Sequence, residues 1–136
     1  MNKEEILTEI AEVVCSSWML EVPYIKFYGW HTCFFLDDES ITIDDDLLRF
    51  EKINVIIFAL VHELSHYITY NFYKRNIINK RILKHPHNTD FCVVLYTNLK
   101  ILNINLNTYI KNAIEYPVVK KILKELELND EKTKKG

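Results

Sequence analysis

The chain has 136 residues, 49% hydrophobic and 26% charged, with a formal charge of -2 and a pI near 6.2. That length carries one core rather than two, so a single domain is expected over residues 1–128, followed by a flexible basic tail over 129–136. The charge balance excludes a large basic footprint for nucleic acid, and no stretch has the pattern of a signal peptide or a membrane span. A soluble, intracellular (cytoplasmic) protein with no membrane partner is expected.

Asn2 and Glu5 have capping-box spacing, and Ile6, Ile10, Val13 or Val14, and Trp18 recur at helical intervals. They predict an amphipathic helix over residues 3–20, closed by Pro23. Tyr24 to Tyr28, Thr32 to Leu36 and Ile41 to Ile43 read as strands of a small antiparallel sheet, parted by Gly29-Trp30 and a polar turn at 37–40. Asp44-Asp45-Asp46 lacks the glycine and closing glutamate of a calcium loop, so one of these aspartates is expected to cap the turn carrying Leu47 and Leu48. Residues 52–74 form a long helix, with Lys74-Arg75 at its negative pole. Residues 76–84 read as a loop or short irregular segment. Pro86 blocks a helix entering, and Asn88 or Thr89 caps a new one running to about Asn103. A last helix starts near Thr108, is interrupted at Pro117 and continues through Leu126 before the tail. The expected class is α+β, with a sheet of about three strands packed with about four helices. Cys15, Cys33 and Cys92 are odd in number and widely spaced, which predicts buried thiols rather than a disulfide framework or a zinc ribbon.

The long helix contains His62-Glu63-Leu64-Ser65-His66 directly after an apolar run from Ile53 to Val61. Positions i and i+4 lie one turn apart on nearly the same face, so both imidazoles can close on one ion. Glu63 points off that axis toward an open coordination position, where a general base for metal-activated water must stand. This is the HExxH pattern of zinc peptidases, and it predicts peptide-bond hydrolysis with Zn2+ as cofactor and a protein or peptide as substrate.

A catalytic zinc takes three protein ligands, so a third must come from another element. Thr69 and Phe72 stand where the extended metzincin pattern requires Gly and His, which excludes that class. Glu115, directly before Tyr116-Pro117, is a poor match for a glutamate ligand, and Asp90 is explained as a favourable charge at a helix N-terminus. His87, pinned between Pro86 and a helix start, is the leading candidate, with His85 second.

His62-Glu63-x-x-His66, followed by His87-Asn88-x-x-Phe91 and an apolar helix, resembles the minimal zincin domains of the SprT-like and WLM metallopeptidase group. The resemblance spans roughly residues 24–104, taking in Ile41 to Asp44 and Leu47-Leu48 upstream. It implies a zincin-like fold with the motif on its central helix, zinc on His62, His66 and His87, and Glu63 as catalytic base. Asn88 stands where the family has Gly; asparagine can adopt the left-handed conformation glycine takes there, but less readily. The family leaves a nucleic-acid partner open, but no cysteine-rich ribbon is found here to supply one.

Two alternatives accompany this reading. One is a zinc-stabilised interaction module without proteolytic activity. The other is a regulatory protease of the ImmA/IrrE type, with a different third ligand. A deformylase would want a cysteine ligand in a Gly-rich setting, which Cys33 does not provide. An extended substrate is expected to add to the sheet edge at Thr32 to Leu36 or at Ile41 to Ile43. Tyr67, Tyr70, Tyr109 and Tyr116 are chemically able to stabilise an oxyanion, and His31 reads as a strand-edge residue. The sequence does not give the oligomeric state.

Overall fold

The computed structural model describes residues 1–135. In chain order its elements are α1 (Lys3–Ser17), β1 (Ile25–Gly29), β2 (Cys33–Phe35), β3 (Ser40–Asp44), α2 (Asp45–Phe50), α3 (Ile53–Lys74), α4 (Arg81–Lys84), α5 (Thr89–Ile101), α6 (Leu106–Asn112) and α7 (Pro117–Lys135). The class is α+β, as expected, but with seven helices among the described residues and a sheet that is mixed rather than antiparallel. Strand β3 is central, parallel to β1 and antiparallel to β2. Local alternation identifies strands but not their order, and here β3 inserts between two strands that are neighbours in sequence. Gly29 ends β1 at an irregular register, and a Cβ there would fall 2.0 Å from Thr42 Cγ2. Any side chain at this position would collide with the Thr42 methyl group unless that group moved.

Helix ends explain the other differences. Helix α1 stops at Ser17, well before Pro23, because Met19 turns left-handed (φ 58) and the Leu20 amide reaches back to the Cys15 carbonyl at 2.9 Å. The same closure ends α3 at Asn76 (φ 60) and α5 at Asn103 (φ 55), with the amides of Ile77 and Ile104 bonded to Phe72 and Leu99 at 2.9 and 2.8 Å. Each is a Schellman closure followed by an apolar residue, and asparagine supplies the left-handed position at two of them. Pro117 does not interrupt a helix but opens α7, where its missing N–H costs nothing. That helix continues through Lys135, so most of the expected tail is helical. Asp130 accepts from the Tyr96 hydroxyl at 2.9 Å and pairs with Lys100. Gly136 lies outside the described residues.

Helix α3 runs between two apolar clusters. Ile56, Leu60, Leu64 and Ile68 pack against Leu7, Ala11 and Val14 of α1 and Ile41 and Ile43 of the sheet. Phe58 and Val61 pack with Phe91, Leu95 and Leu99 of α5 and with Tyr109, Val119 and Leu123. A helix buried on two sides is a rigid platform for its remaining side chains. No helix among the described residues is long and apolar enough to cross a membrane.

A buried polar chain ties three helices together behind the motif. Trp18 Nε1 donates to Asn98 Oδ1 (2.6 Å), Asn98 Nδ2 donates to Ser65 Oγ (3.0 Å), and Ser65 Oγ donates to the Val61 carbonyl (2.8 Å). Asn98 and Ser65 are fully buried. Asn98→Leu takes the acceptor from the indole and a donor from Ser65. It is expected to cost about 1–3 kcal/mol, seen as a lower urea midpoint at unchanged slope.

Candidate functional site

Helix α3 carries His62, Glu63 and His66, and the turn between α4 and α5 brings in His87. The three Nε2 atoms form a nearly equilateral triangle: His62 to His87 3.2 Å, His62 to His66 3.2 Å, His66 to His87 3.1 Å. Each sp2 ring nitrogen has one in-plane lobe, so three of them cannot satisfy all three edges as hydrogen bonds. They can all point at one shared ion. Around a tetrahedral zinc with Zn–N near 2.0–2.1 Å, imidazole nitrogens lie about 3.3 Å apart, and the observed spacing fits. Among the described residues this is the one group of three or more candidate ligands whose donor atoms converge.

The rings are held from behind. His62 Nδ1–H donates to Glu115 Oε2 at 2.8 Å, which leaves the Nε2 lone pair facing the triangle. Tyr109 donates its hydroxyl to the same oxygen at 2.7 Å, and the Tyr116 amide donates to Oε1 at 3.0 Å. The Glu115 side chain is wholly buried. Its burial would raise its pKa, but the His62, Tyr109 and Tyr116 bonds outweigh that and hold it below the usual carboxylate range. Burial, helped by the Glu115 charge, pushes the Tyr109 phenol well above its ordinary value, so it remains a donor. Phe91, fully buried, stacks on His66 with centroids 4.3 Å apart and meets His62 and His87 edge-on at 5.0 and 5.1 Å.

The electrostatics suit ligation. Burial, with His62 and His87 nearby, drives the His66 pKa well below its ordinary value. Burial and His62 lower that of His87 as well. His62 is also lowered by burial, but the Glu115 bond and the charges of Glu63 and Glu115 leave it raised, so a proton and a metal compete for its Nε2. Glu115 nevertheless fixes the tautomer and plane of His62, so its removal should weaken metal binding by about 10–100-fold, toward the upper end for Glu115→Ala and the lower end for Glu115→Gln, which keeps one acceptor oxygen. Competition with a chromogenic chelator measures this directly.

Glu63 is 8% exposed. Burial raises its carboxyl to about 7, against the lowering effects of His62 and the nearby Phe34 amide. It stands between two halves of an open cleft. One half, about 340 Å3, is bounded by Cys33, Phe34, Leu36, Tyr70, Leu83 and Pro86. The other, about 840 Å3, is bounded by His31, Asp44, Asp46, Phe50, Glu51 and Ile114. Thr32, His62, Glu63 and Tyr116 border both. Because β3 is central, the free sheet edge at the cleft belongs to β2.

The sequence-derived candidates separate clearly. His62, His66, Glu63 and His87 come together. His85 is exposed at the C-terminal cap of α4, and Asp90 is exposed in the first turn of α5; neither joins the triangle. His31 is exposed between β1 and β2. Asp44 caps α2, accepting from the amides of Asp46 and Leu47 at 2.8 and 3.2 Å. Asn88, one of the two expected caps, caps α5 with φ -72, its Oδ1 accepting from the Phe91 amide at 3.1 Å. A cap needs a side-chain acceptor and extended backbone, which asparagine supplies without strain. Cys33 is only half-buried, unlike Cys15 and Cys92. Of the four tyrosines, Tyr67 is committed to the Glu21 carbonyl (2.6 Å) and Tyr109 to Glu115, which leaves Tyr70 and Tyr116 at the cleft. The supporting role of Glu115 was not legible. The sequence offers it only as a ligand, and its actual partner lies in another helix far along the chain.

No family model matches this chain, and neither a curated protein nor a solved structure was found to be similar to it.

Proposed function

We propose that the protein is a zinc-dependent peptidase in which His62, His66 and His87 hold the metal and Glu63 is the general base. The observation that carries this is the convergence of three imidazole Nε2 atoms beside a buried carboxylate in an open cleft. A purely structural site has no need of Glu63 and would close its fourth position with a protein ligand. Zinc, when bound, supplies Lewis acidity that polarises a carbonyl and makes water a stronger acid.

The remaining work falls to the chain itself. Phe34, at the free edge of β2, offers main-chain groups along which an extended substrate can lie as an added strand. Glu63 takes the proton from the attacking water onto a carboxylate oxygen and delivers it to the amine nitrogen as the C–N bond breaks. A carboxylate serves as acceptor in the first transfer and, once protonated, as donor in the second. Glu115 fixes the His62 tautomer, and Phe91 fixes the His66 plane. Membership of the SprT-like and WLM group is proposed on the same residues, His62, Glu63, His66, His87 and Phe91.

Full-length protein loaded with one equivalent of zinc is expected to cleave an unfolded protein such as reduced, alkylated casein. A chelator should stop the cleavage and added zinc restore it. One tightly held ion per chain with no cleavage of any unfolded protein would instead identify an interaction module.

A further inference from the structure

Attack of water on a peptide carbonyl puts negative charge on its oxygen, and a preorganised donor at that oxygen lowers the barrier. The cleft offers few such donors. No Lys, Arg, Asn or Gln borders either half among the described residues. Thr69 is buried and spends its hydroxyl on the Ser65 and His66 carbonyls at 2.9 and 3.0 Å. The Thr32 hydroxyl is tied to the end of β3 by the Asp44 amide, which donates to it at 2.9 Å. Cys33 carries a thiol, a weak donor. His31 and Tyr70 each border one half only, and the Tyr70 ring is packed against Phe34 and Tyr73.

Tyr116 differs in three respects. Its ring lies 4.6 Å from that of His87, and like Glu63 it borders both halves of the cleft. Its backbone is fixed by the carboxylate that holds His62: the Tyr116 amide donates to Glu115 Oε1 at 3.0 Å, and His62 Nδ1 donates to Oε2 at 2.8 Å. One buried side chain thus sets the position of this tyrosine against a candidate metal ligand. Among the described residues Tyr116 hydrogen-bonds through its main chain alone, which leaves its hydroxyl free for a ligand. Tyr67 and Tyr109 have spent theirs on Glu21 and Glu115.

Resting on the peptidase reading, we infer that Tyr116 is a catalytic residue whose phenol donates a hydrogen bond to the carbonyl oxygen of the bond being cleaved. The water oxygen bonds to the carbonyl carbon, the π pair of the C=O bond moves onto its oxygen, and Glu63 takes the water proton. The phenol keeps its own proton throughout. As the C–N bond breaks, the pair returns to the C=O bond and the amine leaves with the proton from Glu63.

Tyr116→Phe keeps the ring against His87 and removes only the hydroxyl. Zinc-loaded full-length wild type and variant are compared on casein and on a fluorogenic peptide spanning a casein cleavage site, with zinc content and melting temperature measured on the same samples. One zinc per chain and unchanged melting are expected. The kcat should fall by about 10²–10³-fold with KM within about twofold, the pattern of an interaction made only in the transition state. A phosphonamidate analogue of the peptide, whose tetrahedral oxygens imitate the charged carbonyl oxygen, should bind the variant more weakly by about the same factor. An unchanged kcat, a rise in KM alone, or a fall in kcat matched by loss of zinc overturns the inference and leaves the peptidase reading intact. If the wild type cuts no casein, both fall together.

Discussion

Glu63→Gln should leave one zinc per chain and lower peptide hydrolysis by about 10²–10⁴-fold, the loss expected when a positioned proton acceptor is removed. Glutamine keeps the volume and a polar tip but cannot take the proton. Metal content and turnover measured on the same sample separate this from loss of the ion, and retained turnover would reject Glu63 as the base. The same substitution should change stability in the opposite sense. In the metal-free protein the Glu63 carboxyl is raised by burial from 4.5 to about 7. Between those values the folded state binds more protons than the unfolded chain, so this group's contribution falls as pH rises. Above pH 7 the cost of the buried charge reaches about 3 kcal/mol. The variant should therefore melt higher than the wild type at pH 8 in chelator, and nearly together with it at pH 4, below both values.

His87→Ala should remove both the ion and the activity. Two imidazoles on one helix turn cannot hold zinc as three do, and among the described residues no other candidate ligand converges on them. In the wild type, zinc at a hundredfold excess over its dissociation constant should stabilise the fold by about 2.7 kcal/mol. The variant should show no such shift, and its melting temperature should match that of the metal-free wild type within a few degrees. A variant that still held one zinc would return the site to the ImmA/IrrE type of arrangement, with its different third ligand.

What could be read from the chain alone was set by local rules. The spacing of His62 and His66 fixes their shared face on any helix, and the apolar run before them makes that helix buried. Asn2, Asp44 and Asn88 cap helices because their side chains bond amides two or three residues on, a matter of short-range geometry. The α+β class follows from the same local patterns.

Three features were decided only by the tertiary structure. Strand order depends on which backbones meet across the sheet, and no local pattern encodes the insertion of β3 between β1 and β2. Glu115 supports His62 across a large separation in sequence because α6, a short loop and α7 fold its side chain against α3. Its neighbours in the chain carry no sign of this. The two-part cleft on either side of Glu63 arises where β2, α2 and the loop before α7 face α3. Periodicity and capping act over a few residues and so are written in the chain, whereas the surroundings of a buried group are set by segments that meet only on folding.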